Sequence, residues 1–266
     1  MSPTPDEIRE ALAGVIRTDQ QLEESVRAVL SQLRATELIS AGGAADVDLD
    51  RAARCGFSEV IYGEGKPAHL IVDILKQQEA VGQRGFVTRL DSQQADDVLQ
   101  AFPDGIYNSV AGTVVPHGYP AAATRTSGTV AIVTAGSCDA PVAQEAVETL
   151  KWMGVAVQLI EDVGVAGPHR LQKHVPVLQS MAAVVVVAGM EAALPSVVGG
   201  YVGCPVIGVP TSVGYGASLG GLTALLSMLT SCASNVVTVN VDAGFRGGYV
   251  AGMIARQSVP AGETPS

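Results

Sequence analysis

The segment Met181 to Thr211, MAAVVVVAGMEAALPSVVGGYVGCPVIGVPT, constrains the fold more than any other part of the chain. Ala182 to Ala188 is an unbroken apolar run with four consecutive valines, and β-branched residues at that density favour a strand buried on both faces. Such a strand belongs inside a parallel sheet. It leads into Gly189, Met190 and Glu191, then to Pro195, whose fixed φ and absent N–H suit the first turn of a helix. A second strand follows at Pro205 to Val209. Strand, tight turn, helix and strand make a βαβ unit, and open α/β sheets bind ligands beyond the carboxyl ends of their strands. Glu191 stands at such an end.

The same alternation extends in both directions. Strands are expected at 129–134, 155–161, 183–188, 206–209 and 236–241, and helices at 140–153, 167–177, 194–201, 219–229 and 247–256. This series predicts an α/β fold, a three-layer sandwich around a parallel sheet. Upstream, residues 6–39 read as two helices, the second with Leu22, Val26, Val29, Leu30 and Leu33 on one face. A smaller α/β unit is expected after them, with strands at 58–62 and 85–88, helices at 68–79 and 92–101, and short strands between 105 and 115. Residues 116–127, rich in Pro, Gly, Ala and Thr, suit a connection. The expected domains are 1–125, helical plus small α/β; 126–256, parallel α/β; and 257–266, a disordered tail.

Composition narrows the function. With 47% hydrophobic residues the 266-residue chain has ample material for a core, yet its longest apolar run, Met181 to Met190, is half of what a membrane helix needs. No basic-then-apolar leader opens the sequence, so a cytoplasmic location is the default expectation and no membrane partner is expected. Sixteen basic against 26 acidic residues, net charge −10, and no basic cluster argue against a nucleic-acid partner. The four cysteines, Cys55, Cys138, Cys204 and Cys232, match neither a zinc spacing nor a disulfide framework. Cys55 and Cys204 read as structural.

Candidate chemistry gathers at the loops that follow the strands: AGSCD (135–139), DVGVAGPHR (162–170), GME (189–191), VGYGASLGG (213–221) and NVDAGFRGG (240–248). Glycine-rich loops running into helix N-termini suit phosphates, so Gly189, Met190, Gly214 and Gly216 are substrate-binding candidates. The absence of G-x-G-x-x-G after the first strand of this series argues against an ordinary dinucleotide-dependent dehydrogenase. Asp139 is either an N-cap or a contact to a ribose hydroxyl or a metal. His169 and Arg170 form either a phosphate grip or a surface ion pair. Glu191, expected to be costly if buried alone, must be paired, metal-bound or an acid/base. Cys232, between a helix and the last strand, is either a packing residue or a thiolate stabilised by a cation such as Arg170 or Arg246, because the preceding helix end disfavours an anion. Cys138, at a helix start, is the better-placed thiol on dipole grounds. Lys66, in Gly63-Glu64-Gly65-Lys66, could reach a phosphate, although this turn is too short for a Walker A loop.

The region from Gly128 to Arg256 resembles the aminoimidazole ribonucleotide carboxylases in GTVAIVTAGSCDAPVAQEA, the His-Arg pair, VVVVAGMEAALP and CPVIGVPTSVGYGASLGG. A larger part, about residues 45–256, resembles the LarB family through GFSEVIYGEGK, DVGVAGPHR, AGMEAALPSVVGG, GGLTALLSMLTSCA and VNVDAGFRGGYVAGMI. Departures from the LarB pattern are Ser58, Pro67, Ser137, Cys138, Ala243 and Arg246; the purine-pathway histidine before Leu-Pro is replaced by Ala193. The LarB resemblance implies carboxylation of the pyridinium ring of nicotinic acid adenine dinucleotide with CO2 or bicarbonate, and release of AMP, in nickel-pincer cofactor synthesis. It implies Cys232 as nucleophile and Glu191 as its acidic partner; the charge developed in anhydride cleavage calls for a divalent ion such as magnesium, at residues left unassigned, and the resemblance to the ribonucleotide carboxylases implies a homo-octamer or a similar ring. The alternatives are a ribonucleotide carboxylase or mutase and a non-catalytic nucleotide-binding regulator.

Overall fold

A computed structural model describes residues 46–120 and 128–258, together with Arg9, Glu10, Gln21 and Ser25. The two helices expected over 6–39, the boundary near 125 and the tail therefore lie wholly or largely outside the described residues. The chain divides into two compact units: one of Met1–Ile106 with Val114–His117, the other of Tyr107–Thr113 with Gly118–Ser266.

From residue 46 the chain forms helix α1 (Arg51–Cys55), β1 (Ile61–Tyr62), α2 (Ala68–Ala80), β2 (Val87–Thr88) and α3 (Ser92–Ala101) of the first unit, then β3 (Ile106–Asn108) and β4 (Thr113–Val115), at which the division between the units falls. The sheet order is β1-β2-β4-β3, with β1 parallel and β4 antiparallel to β2. The strands expected at 58–62 and 85–88 shrink to two residues each. Helix α3 starts on a reciprocal cap: Asp91 accepts from the Gln94 N–H at 2.8 Å, and the Gln94 side chain accepts from the Asp91 N–H at 3.0 Å. The Gln94 amide nitrogen also donates to the carbonyls of Gly63 and Lys66, which pins the turn after β1.

The second unit is the expected parallel α/β sandwich. Its strands are β5 (Thr129–Thr134), β6 (Ala156–Ile160), β7 (Ala183–Ala188), β8 (Val206–Pro210) and β9 (Val236–Thr238). They lie in the order β6-β5-β7-β8-β9, all parallel. Val184 to Val187 are all inaccessible to solvent, as a strand with helices on both faces requires. One face carries α5 (Pro168–Gln172), α6 (Val175–Leu178), α7 (Leu194–Gly199) and α8 (Leu222–Leu229), whose Leu171, Leu178, Leu194, Val198, Ala224 and Met228 pack with Val184, Val186 and Val206. The other face carries α4 (Ala140–Trp152) and α9 (Gly244–Gln257). A side-chain carbon at Gly248 would lie 2.7 Å from the Ala146 carbonyl, and one at Gly252 would lie 2.5 Å from the Met153 methyl, so small residues set the approach of these two helices.

Three helices depart from the sequence expectation. The one expected at 167–177 is two, because Pro176 lacks the N–H that would bond the carbonyl of Gln172. The one expected at 219–229 begins as a 3-10 segment, Gly216–Gly221, in which Leu219, Gly220 and Gly221 have positive φ, and becomes α-helical only at Leu222. Helix α9 starts three residues earlier than expected, at Gly244, and β9 ends at Thr238.

Candidate active site

Strand order places the loops. The connection from β5 runs outward to β6 and the next returns across β5 to β7, so the direction of winding reverses between β5 and β7. Beyond the carboxyl ends at that reversal lies a cavity of about 350 Å³, the place where doubly wound sheets hold ligands. Its walls are Ala135 to Asp139 after β5, Asp162, Gly164 to Ala166 and Arg170 after β6, Ala188 to Leu194 after β7, and Val213 after β8.

Asp139 forms part of this lining, at 3% exposure. Its carboxylate does not cap α4. Instead Oδ2 accepts from the Gly136 N–H at 2.9 Å, closing the turn that precedes it, and Oδ1 accepts from the Thr211 hydroxyl at 2.8 Å. Burial pushes its pKa up; the hydrogen bonds from Thr211, Gly136 and Ala135 oppose that, and the nearby Asp242 carboxylate adds to it.

Arg170 is held across the mouth of the 162–170 loop by an ion pair with Asp162, Nη1 to Oδ2 2.7 Å. It is the phosphate-grip candidate that lines the cavity, and its charge is already matched by a carboxylate. His169 is exposed and outside the lining. Gly189, Met190 and Glu191 do line it, but Glu191 is exposed. The expectation that a buried lone carboxylate there would be costly is therefore corrected: Glu191 projects where water reaches it. Its backbone is strained instead. Met190 has φ 55° and Ala192 φ 50°, and non-glycine residues in that region cost roughly 1–2 kcal/mol each. Asp162 after β6 and Asp242 after β9 share this conformation, so left-handed residues gather beyond the carboxyl ends.

Several candidates are not brought to the cavity. Gly214 and Gly216 serve the backbone, at φ 154° and 56°, while Val213 is the residue of their loop that lines the wall. Arg246 is exposed in the first turn of α9 and outside the lining. Lys66 belongs to the first unit, in the turn after β1. Most consequential, Cys232 is exposed in the connection between α8 and β9 and is not among the lining residues, whereas Cys138 is exposed and does line the cavity. Of the cysteines read as structural, Cys204 packs on the core and burial raises its thiol pKa, but Cys55 is exposed at the end of α1, a helix with no buried residue. Sequence reasoning did not single out Thr211, Asp162 and Asp242, although each lies within a quoted string, because nothing local shows which side chain they meet. Among the described residues, no group of three or more His, Cys, Asp or Glu is placed to hold a metal ion, and no helix is long and apolar enough to cross a membrane.

A parallel sheet with an acid-lined cavity at its winding reversal is the arrangement of a small-molecule α/β protein, and two family models narrow the class to carboxylase-type enzymes. Residues 39–118 match the LarB/PurE-like N-terminal domain and residues 129–263 match AIR carboxylase. The chain belongs to the LarB family, in which these two domains occur in succession. It is 39% identical over 222 residues to the uncharacterised protein MJ0165 of Methanocaldococcus jannaschii, spanning 79% of this chain and 83% of the relative. A crystal structure of a PurE2 variant from Treponema denticola aligns with 46% of this chain and 76% of its own, at 19% identity and a TM-score of 0.39.

Proposed function

We propose that this enzyme carboxylates the pyridinium ring of nicotinic acid adenine dinucleotide and hydrolyses its phosphoanhydride, releasing AMP and a pyridinium-3,5-biscarboxylic acid mononucleotide. The observation that carries the reading is the succession of a LarB/PurE-like domain and an AIR carboxylase domain, with Glu191 and Arg170 in one cavity beside the β5–β7 reversal. Pyridinium is electron-poor, and its ring carbon does not attack CO2. Addition of the Cys232 thiolate to a ring carbon makes a dihydropyridine whose neighbouring carbon is nucleophilic. That carbon bonds to CO2, a base removes the hydrogen it carries, and the C–S electron pair returns to sulfur as the aromatic ring re-forms. Glu191 is the base at hand. Water supplies the oxygen for phosphoanhydride cleavage, which yields AMP.

Cys232 and Glu191 do not share the cavity of one chain, so we propose that they meet between copies in a homo-octamer. The surface that leads to Cys232 supports this: Leu222, Leu226 and Leu229 of α8, at i, i+4 and i+7, are 45%, 53% and 61% exposed. The cavity is at the low end of small-molecule sites, so the adenylate half extends beyond it. Among the described residues the acidic side chains do not gather into a metal site, and magnesium would act as counter-ion to the diphosphate. The test is to incubate the purified protein with the dinucleotide and bicarbonate and weigh the products. A mononucleotide heavier by one carboxyl group, with equimolar AMP, is expected. An unchanged dinucleotide overturns the reading, and carboxylation of aminoimidazole ribonucleotide instead would assign the protein to the purine-type branch suggested by its second domain.

A further inference from the structure

Thr211 stands where the two sides of the cavity meet. It directly follows β8 and is fully buried; its N–H donates to the Ala188 carbonyl at 3.0 Å, tying it to the exit of β7. Its hydroxyl donates to Asp139 Oδ1 at 2.8 Å, across 72 residues of sequence. The same oxygen lies close to the other wall: a side-chain carbon at Gly189 would sit 2.6 Å from it and 2.3 Å from the Val213 carbonyl, so only glycine fits there. The Val213 carbonyl in turn accepts the Met190 N–H at 3.0 Å, and the Ala192 N–H donates to the Gly189 carbonyl at 2.9 Å. One residue thus bonds to the Gly136–Asp139 turn through its hydroxyl and to Ala188 through its N–H, and it leaves no room for a side chain at Gly189, where the strained turn that carries Glu191 begins.

We propose that Thr211 is a positioning residue: its hydroxyl locks the Asp139 turn to the Gly189–Ala192 turn and so fixes where Glu191 is presented. The catalytic part of this inference rests on the carboxylase reading. The lock requires an ionised Asp139, whose two oxygens accept from Thr211 and Gly136 together. A proton from solvent on Oδ2 sets a donor against the Gly136 N–H and releases that bond, whereas a proton on Oδ1 reverses the Thr211 bond, with the hydroxyl accepting. The titratable groups near Asp139 are Asp242 after β9, whose charge acts on it, and Cys138, Asp162, Arg170 and Glu191, which line the same cavity. The Thr211 bond favours the carboxylate, so removing it raises the pKa of Asp139 further and moves its protonation to higher pH.

Thr211→Val keeps the shape and removes the donor; Thr211→Ser keeps the donor. In the substrate-free protein, carbon-13 NMR of the aspartate carboxyls should show Asp139 of Thr211→Val titrating at higher pH than wild type. Backbone exchange at Met190 to Ala192 should be faster by about tenfold, the effect of one weakened hydrogen bond. In turnover, kcat should fall about tenfold with KM little changed, and the acid limb of the kcat profile should move up in pH. Thr211→Ser should restore all of these, which a packing role for the side chain would not. Should valine not be accommodated, Thr211→Ala removes the same hydroxyl without adding bulk. An unshifted Asp139 titration, or wild-type exchange at Met190 to Ala192, or a serine variant as impaired as valine, overturns the proposal. The two NMR measurements need no substrate, so failure of the carboxylase reading leaves them able to decide it.

Discussion

The position of Cys232 outside the cavity that contains Glu191 leads to a complementation experiment. Cys232→Ser removes the nucleophile and Glu191→Gln removes the base. Both side chains are exposed, so each substitution should change stability by less than about 0.5 kcal/mol, and loss of activity cannot be assigned to unfolding. Each variant alone should form no carboxylated product. Co-expressed in equal amounts with different tags and purified through both, the two variants assemble into mixed oligomers. If every site takes Cys232 from one copy and Glu191 from another, each position is wild type in half of the sites, independently. About one quarter of the sites are then intact, and the mixture should recover about a quarter of wild-type activity per site. Product mass and AMP release are the assay, with each singly tagged variant as the zero. A mixture no more active than its components refutes the argument, because both groups would then have to act from one chain. Wild-type turnover by Cys232→Ser alone would remove the cysteine from the mechanism.

Cys138→Ser should retain most of the activity although Cys138 lines the cavity and Cys232 does not; finding the covalent adduct of a trapped dinucleotide on the Cys138 peptide would reverse the two assignments. Gly248→Ala should lower stability by about 1–3 kcal/mol, seen as a lower urea midpoint, because the added carbon falls 2.7 Å from the Ala146 carbonyl; an unchanged midpoint would mean that α9 shifts off α4 without cost. The acid form of the dinucleotide should bind at least about tenfold more tightly than the amide, a difference of about 1.4 kcal/mol, since only its ring carboxylate adds a charge for an arginine to meet. Equal calorimetric affinities for the two would contradict it.

Much of the second unit was legible in the sequence because burial on both faces leaves a local trace. The valines of β7, the alternation of apolar runs with helical spacing, and the glycine-rich loops after each strand all follow from what neighbouring residues must bury. The family signatures in those loops were readable for the same reason, since each is a contiguous string. Helix breaks were less legible: the left-handed turn through Leu219 to Gly221 carries the same letters as a helix start.

What only the tertiary structure decided is which loops meet and which side chains reach solvent. Strand order brings the ends of β5, β7 and β8 together, so the Thr211 hydroxyl reaches Asp139 across 72 residues, a contact that no local pattern encodes, while the fold of one loop closes Arg170 onto Asp162. It also leaves Glu191 exposed and Cys232 away from the cavity, although both carry family motifs of similar strength. The physical reason lies in the range of the interactions. Periodicity records the environment a residue shares with its sequence neighbours, whereas a site is assembled by crossovers and register, which are set by the packing of the whole sheet.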